Sequence, residues 1–504
     1  MRRWVLFVVT LFSFSCSGKV RSPNIIYILA DDLGYGEVGV HGQSIIETPN
    51  IDSLAGTGML FTQHYSGSPV CAPSRSVLLT GKHSGHTHIR GNDEWRSRGD
   101  VWNYLSVFKD ESLEGQRPLP DSIITFAEVM QEEGYETGFV GKWGLGAPGT
   151  EGVPNDQGFD YFFGYNCQRQ AHTLFPMHLW ENDKRVRLDN IAVPPHTGLD
   201  SDDDPDDAQS YDRFSLNEYA PDVMHDRAVT FIEESADRSF FLLYASPLPH
   251  LPLQAPKEWV DHYIEKLGDE EPYTGNVYFP NRTPRATYAA MISALDEQVG
   301  DLVKTLREND ILDNTMIIFT SDNGPTYTGG VDTEFFNSAH PFSSAYGWAK
   351  GFLKEGGIRV PMIVSWNGQI RPMVRTDHLS GFQDVFPTLL EICGVDRTFE
   401  TDGISFLNVL LGKEQASRHE YLYWEIPEYG GQQAVRMDNY KAIRKDIFSG
   451  KLDIELYDLS KDMKEMDDVA DNFPSIVERA GAIMLKEHVI SELEGFQFPI
   501  LDAR

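Results

Sequence analysis

The side chains with the clearest chemical purpose are four oxygen donors at two distant points of the chain. Asp31 and Asp32 directly follow one apolar, branched run, and Asp322 and Asn323 follow a second such run much later in the sequence. Carboxylate and amide oxygens suit Ca²⁺ or Mg²⁺, whereas zinc prefers His and Cys. An Asp-Asp pair after a strand is commonly only a turn or a helix cap, but three carboxylates that converge without a cation would repel one another strongly. Together the two pairs predict a site for one hard divalent cation.

Cys71 carries a second group that could do chemistry. It opens the run Cys-Ala-Pro-Ser-Arg at residues 71–75, and Gly81 follows the apolar residues after it. Proline is favoured in the first turn of a helix and glycine just past its last, so the sequence predicts a short helix that begins near residue 71. Unpaired backbone N–H groups and the helix dipole at such a start favour an anion. Most short helices of this kind bind nothing, so the function of Cys71 depends on the residues around it.

Three buried strands and one long helix are predicted to position these groups. Residues 24–30, 239–245 and 315–320 are continuous apolar runs, typical of strands covered on both faces in a parallel sheet. Apolar residues recur at helical spacing over 288–306, which predicts an amphipathic crossover helix between the last two strands. Polar residues, among them His250, follow each strand. The pattern predicts an α/β fold whose site lies at the carboxyl edge of the sheet.

The pattern of the chain changes near Gly394. Residues 421–425 and 434–444 are predicted as strands, the second segment broken by a turn at Asp438-Asn439, and a helix is predicted from about Pro474 to Leu493. This succession indicates a smaller C-terminal α+β subdomain.

Composition limits the classes of partner. The formal net charge is −33, and no basic run is longer than two adjacent residues. Nucleic-acid binding depends on clustered Lys and Arg, so the sequence argues against it. An anionic substrate would need a local pocket of positive charge within a repulsive overall field.

The N-terminus has the pattern of an export signal. Arg2 and Arg3 precede the apolar run 4–14, which is too short to span a bilayer, so residues 1–16 are predicted to be a signal peptide. Cys16 follows a small residue where bacterial lipoprotein signals place the lipidated cysteine, which favours a lipoprotein over plain secretion. One lipid would anchor the mature chain at a membrane surface without spanning it. The expected location is the periplasm or the membrane surface of a bacterial envelope.

Several motifs together resemble the formylglycine-dependent (type I) sulfatases, in particular the bacterial arylsulfatases and carbohydrate sulfatases. In the order of that family they are 30–36, 71–75, 141–143, 320–324, 350–361 and 455–459. The resemblance implies an alkaline-phosphatase-like fold, with a mixed, largely parallel sheet flanked by helices and a smaller C-terminal α+β subdomain. The predicted domains are a catalytic domain at 22–395 and the subdomain at 396–504.

The resemblance also implies a cation and a modified residue. One Ca²⁺ per subunit, with Mg²⁺ as the alternative, would be held by Asp31, Asp32, Asp322, Asn323 and the modified residue 71. The Cys-x-Pro-x-Arg run is the signal read by sulfatase-maturing enzymes, which oxidise the cysteine to formylglycine (3-oxoalanine). Such an enzyme is therefore an expected partner that acts on Cys71.

Basic residues acquire roles by the same resemblance. Arg75 would hold the hydrated formylglycine, and Lys142 and Lys350 would bind sulfate oxygens. His250 would protonate the departing alcohol. Lys354 falls in a variable position and is expected to be an ordinary surface charge.

One position departs from the family pattern. Many members have a histidine after Gly-Lys-Trp that helps to break the hemiacetal, whereas this chain has Gly144. Another group would have to take that role or the site is arranged differently, and His83, His86, His88 and His172 are the candidates. The departure concerns sulfate release rather than the attack on sulfur.

The segment 166–172 resembles an insert of carbohydrate sulfatases from glycan-degrading bacteria. His172 and Arg169 could hydrogen-bond sugar hydroxyls or a second sulfate, and Glu334 could accept from a hydroxyl. The expected substrate is a sulfated galactose or N-acetylgalactosamine unit at the end of a sugar chain, so the enzyme would be exo-acting. A phosphonate or phosphate-ester hydrolase on the same fold and an inactive glycan-binding protein are the alternatives. The single set of metal ligands favours sulfate over phosphate.

Overall fold

The structure is a computed structural model, and it describes residues 22–503. The signal peptide at 1–16 and the lipidation of Cys16 lie outside these residues and stay predictions, as does export. Within 22–503, no helix combines the length and the apolar character that crossing a bilayer requires.

Strands and helices alternate over most of the chain. The strands are β1 (Asn24–Ala30), β2 (Met59–Phe61), β3 (His64–Tyr65), β4 (Glu136–Lys142), β5 (Tyr161–Tyr165), β6 (His178–Glu181), β7 (Lys184–Arg187), β8 (Phe240–Ala245), β9 (Thr315–Ser321), β10 (Met362–Trp366), β11 (Val374–Thr376), β12 (Ser380–Gly381), β13 (Leu422–Ile426), β14 (Gln432–Met437), β15 (Tyr440–Arg444) and β16 (Glu455–Asp458). The α-helices are α1 (Pro49–Thr57), α2 (Cys71–Thr80), α3 (Tyr104–Lys109), α4 (Phe126–Glu132), α5 (Ala220–Glu234), α6 (Lys257–Leu267), α7 (Pro284–Glu308), α8 (Thr333–Phe336), α9 (Glu355–Ile358), α10 (Val385–Cys393), α11 (Leu407–Leu410), α12 (Pro474–Glu487) and α13 (Pro499–Asp502).

A ten-stranded sheet has the order β11-β2-β10-β9-β1-β8-β4-β5-β6-β7. Its centre, β9-β1-β8-β4-β5, is parallel, while β10, β6 and β7 pair antiparallel with their neighbours. Along β1, Ile26 and Ile28 pack into one core and Ile25 and Tyr27 into another on the opposite face. Helices α1, α5, α6 and α7 cover the first face, and α2, α4 and α10 cover the second. The mixed, largely parallel α/β fold predicted from the apolar runs is therefore confirmed.

The C-terminal part forms a second, antiparallel sheet in the order β13-β14-β15-β16, against which α12 packs. The turn predicted at Asp438-Asn439 is confirmed: it separates β14 from β15, and Asp438 has φ +48°. The prediction that the helix extends to Leu493 is wrong, because α12 ends at Glu487. His488 has extended backbone angles, and its imidazole is held between Glu425 (2.7 Å) and Asp502 (2.8 Å). These contacts turn the chain out of the helix.

The parallel register determines which residues meet. Ala30 of β1 is paired with Ser321 of β9, so the residues that follow the two strands lie side by side. Lys142 is the last residue of β4, and His250 follows β8 in the same part of the sheet. The carboxyl edge predicted to carry the site is the edge where these residues converge.

Candidate active site

The two acidic motifs form one buried group of oxygen atoms. The amide of Asp32 donates to Oδ1 of Asp322 (3.1 Å), and Nδ2 of Asn323 donates to Oδ1 of Asp32 (2.8 Å). Asp32 has φ +66°, in the left-handed region where Asp is among the enriched side chains. All four residues, Asp31 included, are buried. The predicted convergence is what the structure has.

Cys71 is the first residue of α2, as Pro73 and Gly81 predicted, and Gly81 ends the helix with φ +67°. Its Sγ donates to Oδ1 of Asp31 (3.3 Å) and lies 3.9 Å from Oδ1 of Asp32. Burial, and after it the charge of Asp31, raises the pKa of the Cys71 thiol well above its usual value. Because the thiolate is the reactive form of cysteine, an unmodified Cys71 would be inert here.

Three cationic side chains surround the same point. Arg75 reaches Oδ2 of Asp322 (2.9 Å), Lys142 reaches Oδ2 of Asp31 (2.5 Å), and Lys350 reaches Oδ2 of Asp32 (2.7 Å). Nζ of Lys142 is 3.6 Å and Nζ of Lys350 is 3.8 Å from Sγ of Cys71. A strongly acidic chain thus gathers three cationic side chains around one cysteine, each paired with a carboxylate, and an anionic substrate needs such local cations.

His250 completes the cluster. Its Nδ1 donates to the carbonyl of Leu251 (2.6 Å), which turns Nε2 toward Oδ2 of Asp32 (3.7 Å). Burial and the neighbouring charges of Lys142 and Lys350 lower the pKa of His250 to about 4. An imidazole with a fixed ring and a free Nε2 is suited to exchange a proton with a bound group.

The buried carboxyl groups respond unequally to this environment. Burial opposes ionisation of Asp31, but the charges of Lys142, His250 and Arg75 together hold its pKa well below its usual range. Burial and the charge of Asp31 raise the pKa of Asp322 to about 6. The three cationic side chains therefore do not fully offset the carboxylates.

The donor set fits a hard cation. The ligand atoms of Asp31, Asp32, Cys71 and His250 all lie within 4.8 Å of one another. Oδ1 of Asn323 is buried and has no hydrogen-bond partner within residues 22–503, so an acceptor oxygen beside the carboxylates is left for a cation. Several carboxylate and amide oxygens match Ca²⁺ or Mg²⁺. This buried cluster could hold a divalent metal ion.

Gln168, which sequence reasoning missed, occupies the space beside Gly144. A Cβ on Gly144 would lie 2.7 Å from Cγ of Gln168, and Gly144 has φ +90°. Nε2 of Gln168 donates to Oδ1 of Asn92 (3.0 Å), which also accepts from the amide of Ala72 (3.1 Å), next to Cys71. An isolated Gln or Asn has no sequence signal that would have revealed this connection.

His83, His86, His88 and His172 were considered as replacements for the histidine that is Gly144 in this chain, and they lie in different places. His83 and His86 are paired with Glu487 and Asp402, and His88 lies 3.7 Å from Glu492. In the described chain none of these three contacts Cys71 through a hydrogen bond or ion pair. The ring of His172 is 5.4 Å from that of His250, so it alone of the four borders the site.

Two of the three predicted substrate residues lie beside the cluster. Nη1 of Arg169 donates to Nδ1 of His172 (2.9 Å), and Nη2 is paired with Glu94 (3.0 Å). Tyr278, which sequence reasoning missed, has its ring 5.3 Å from His172. Glu334 is exposed on α8, and no hydrogen bond or ion pair of residues 22–503 joins its side chain to the cluster.

Lys354 does not belong to the cluster, but the prediction of a surface charge is wrong. Its side chain is buried against the C-terminal sheet, where Nζ donates to the carbonyl of Glu465 (2.7 Å) and lies 3.8 Å from the ring centre of Tyr457. The apolar stem and the aromatic ring make burial of this charge possible.

Comparisons with known proteins show what the whole chain is similar to. The sequence model of the family described as Sulfatase matches residues 23–395, and that of N-sulphoglucosamine sulphohydrolase, C-terminal, matches 345–486. Arylsulfatase G of Mus musculus is 31% identical over 468 residues, covering 86% of this chain and 79% of that protein. N-acetylgalactosamine-6-sulfatase of Canis lupus familiaris is 30% identical over 451 residues, covering 87% and 74%. The crystal structure of Ps i-CgsB in complex with k-i-k-neocarrahexaose has a TM-score of 0.70 and 26% identity, covering 93% of this chain and 92% of that one.

Proposed function

The chain belongs to the sulfatase family and is a sulfuric ester hydrolase, and we propose that it removes sulfate from the end of a sulfated sugar chain. The sugar is of the galactose or N-acetylgalactosamine type, and the nucleophile is a formylglycine made from Cys71 by a maturing enzyme. One relative is named for N-acetylgalactosamine, and one structural neighbour was solved with a neocarrahexaose, which supports a sugar substrate.

One observation carries the proposal. Sγ of Cys71, at the start of α2, lies within 3.9 Å of two carboxylates and two ammonium groups at the same time. A buried thiol has no structural need for four charged neighbours. An oxygen nucleophile at this position has such a need, because it must be oriented and must meet an anionic sulfuryl group. Once hydrated, an aldehyde at residue 71 would supply an attacking oxygen and a second hydroxyl that releases sulfate when the aldehyde forms again.

The chain's own residues would bind and orient the sulfate ester. Lys142, at the end of β4, and Lys350, in the loop before α9, both have their ammonium groups near residue 71, so both would contact the non-bridging sulfuryl oxygens. Arg75 stays with Asp322 and holds the start of α2 against the strand ends. These cations offset the charge that develops on sulfuryl oxygens in the transition state.

Nε2 of His250 would give its proton to the bridging oxygen as the bond to sulfur breaks. The Nδ1 bond to Leu251 fixes the ring, so the proton transferred sits on Nε2. A bound sulfate would add negative charge near the imidazole and favour its protonated form. The leaving alcohol then departs as a neutral hydroxyl.

A cation at this site would be held by Asp31, Asp32, Asp322, Asn323 and residue 71, and we propose Ca²⁺. It would supply a positive charge that favours the ionised form of the attacking group. The oxygen-only side chains at the two strand ends make a softer metal less suitable.

The sugar would lie against Arg169 and His172. Arg169 is buried and fixed by Glu94, and its other nitrogen reaches His172, whose ring lies beside His250. A rigid pair of donors next to the leaving-group side of the site suits a sugar hydroxyl or a second sulfate.

The test compares the same chain with and without maturation. Protein would be produced with and without a co-expressed sulfatase-maturing enzyme, and mass spectrometry of the peptide around residue 71 would measure the aldehyde. Turnover would be measured on 4-nitrophenyl sulfate, on position-defined sulfated galactose and N-acetylgalactosamine, and on 4-nitrophenyl phosphate and a phenylphosphonate ester.

We expect sulfate release only from matured protein and none from Cys71→Ala. Activity that persists in Cys71→Ala would overturn the assignment of residue 71 as the nucleophile. Faster turnover of the phosphorus esters would favour the phosphonate or phosphate-ester alternative, and sugar binding without any turnover would favour an inactive glycan-binding protein.

A further inference from the structure

A second cluster of potential metal ligands lies outside the active site. His83 and His86 follow the end of α2, and Glu487 is the last residue of α12 in the C-terminal subdomain. One ligand atom from each of these three side chains lies within 4.8 Å of the other two. Two segments far apart in sequence thus bring two imidazoles and a carboxylate to one point.

The distances within this cluster are close to those of a metal centre. Nε2 of His83 is 3.1 Å and Nε2 of His86 is 3.7 Å from Oε2 of Glu487. The two imidazole rings stack with their centres 4.0 Å apart. Tetrahedral zinc with bonds of about 2.0–2.1 Å places neighbouring ligand atoms about 3.3 Å apart. Small side-chain adjustments would therefore complete the coordination.

Surrounding groups orient the ligands. Nδ1 of His86 lies 3.0 Å from both carboxylate oxygens of Asp402, to which it donates. Tyr421 (2.6 Å) and Lys486 (2.7 Å) hold the other oxygen of Glu487, Oε1, and leave Oε2 facing the imidazoles. A metal-bound histidine typically donates its second ring N–H to a carboxylate in this way.

His86 supplies the ligand atom of the cluster that is most available to a metal. With its proton on Nδ1, a neutral His86 presents the lone pair of Nε2 to Oε2 of Glu487. Within residues 22–503 this Nε2 makes no hydrogen bond. This lone pair is therefore available to a cation, whereas Oε2 of Glu487 already accepts from Nε2 of His83 (3.1 Å).

His83 requires one rearrangement. Its Nδ1 accepts a hydrogen bond from the amide of Gly85 (3.1 Å), so its proton now lies on Nε2. Ligation through Nε2 would require that proton to move to Nδ1, which ends the contact with Gly85 and also the hydrogen bond from Nε2 to Oε2 of Glu487 (3.1 Å). Two hydrogen bonds of His83 are thus exchanged for a metal–ligand bond.

We propose that His83, His86 and Glu487 bind one zinc ion, with Asp402 positioning His86. Two imidazoles and one carboxylate are a zinc ligand set, unlike the oxygen-rich set around Cys71. A cavity of about 340 Å³, lined by His83, Asp402 and Glu487 among others, lies beside the cluster and would admit a water molecule as the fourth ligand. The ion links the segment after the nucleophile helix α2 to the last turn of α12, and so joins the catalytic domain to the C-terminal subdomain.

The test uses the full-length mature protein, stripped of metal and then supplied with excess Ca²⁺ to fill the oxygen-rich site. Zinc binding would be measured by competition with a chromophoric chelator, and Co²⁺ would be added as a spectroscopic probe. We expect one equivalent of zinc and the intense visible bands of tetrahedral Co²⁺. Asp322→Asn, which removes one carboxylate of the oxygen-rich site but keeps an amide of the same size beside Arg75, should retain both signals.

Variants of the cluster locate the ion. His86→Gln and Glu487→Gln should weaken zinc binding more than a hundredfold and abolish the cobalt bands, while Asp402→Asn should weaken it about ten- to a hundredfold. His88→Gln is the matched control, because His88 lies in the same segment but outside the cluster. Wild-type protein that binds no stoichiometric zinc would overturn the proposal, and so would zinc that His86→Gln retains with unchanged affinity.

Discussion

The guanidinium of Arg75 holds Oδ2 of Asp322 through two nitrogens, Nε at 3.1 Å and Nη2 at 2.9 Å. The same group lies 3.3 Å from Oδ2 of Asp31 and donates to the carbonyl of Lys142. One buried cation therefore connects α2 to the ends of β1, β4 and β9. Its position explains how a site assembled from four distant segments keeps one geometry.

Replacing Arg75 should destabilise the whole fold. Arg75→Gln removes the partner of two buried carboxylates, so we expect a loss of about 3–5 kcal/mol in the free energy of unfolding. Chemical denaturation in the presence of chelator measures it. Arg213→Gln is the matched control, because Arg213 is also paired with two aspartates, Asp200 and Asp203, but is partly exposed. That variant should lose less than about 1 kcal/mol. Equal losses in the two variants would contradict the role assigned to Arg75.

His250 should matter in proportion to the basicity of the leaving group. Replacement by Asn removes the proton donor, so kcat/KM on a sulfated sugar should fall by about 10²–10⁴-fold. Turnover of 4-nitrophenyl sulfate should fall much less, because nitrophenolate leaves without a proton. Steady-state kinetics on both substrates, corrected for the fraction of formylglycine, test this. An equal fall on both would mean that His250 serves binding or folding instead.

Lys350 and Lys354 offer a comparison of two lysines four residues apart. Lys350→Gln removes an ammonium group 3.8 Å from residue 71, so we expect kcat/KM to fall by about 10²–10³-fold. Lys354→Gln should leave kcat/KM unchanged and lower the free energy of unfolding by about 1–2 kcal/mol, because its Nζ binds Glu465 and Tyr457 instead. A loss of activity in Lys354→Gln with intact stability would contradict this division.

The sequence predicted the central parallel strands and the acidic residues at their ends, because both are visible as patterns of neighbouring residues. Buried parallel strands are apolar throughout, and their polar successors must meet at one edge, so Asp31 and Asp322 could be placed together. The burial of Lys354 and the position of Gln168 could not be predicted, because each depends on a partner far away in the chain. Glu487 and His83 illustrate the same limit, since nothing in either segment indicates the other.

Gly144 should tolerate no side chain. Its φ of +90° is unfavourable for alanine, and a Cβ would lie 2.7 Å from Gln168. We expect Gly144→Ala to lose about 1–3 kcal/mol more than Gly149→Ala. Gly149 has φ +73° with nothing within 4 Å of a Cβ, so it isolates the backbone contribution. Thermal unfolding of both variants measures the difference. If the two lose the same amount, Gln168 does not fill the space beside Gly144.

His488 should make the stability of the C-terminal subdomain depend on pH. Burial alone would lower the pKa of His488. The hydrogen bonds to Glu425 (2.7 Å) and Asp502 (2.8 Å) raise it by more than burial lowers it, so the net shift is upward. The folded state therefore binds a proton more tightly than the unfolded state, whose histidine has a pKa of about 6.5. The resulting stabilisation is fully present below pH ~6.5 and is lost as the pH rises through the folded pKa. Wild-type protein should melt at a higher temperature than His488→Gln at pH 5.5, and this difference should become smaller as the pH rises to 9.

A second histidine variant separates this effect from general titration. His262 lies on α6 and is largely exposed, near Glu47 (3.4 Å). His262→Gln should follow the wild-type melting temperature across the same range, because an exposed pair contributes little to stability. If the difference between wild type and His488→Gln stays constant with pH, the proton on His488 is not what joins α12 to Glu425 and Asp502. The hydrogen bonds themselves, independent of charge, would then hold the end of α12.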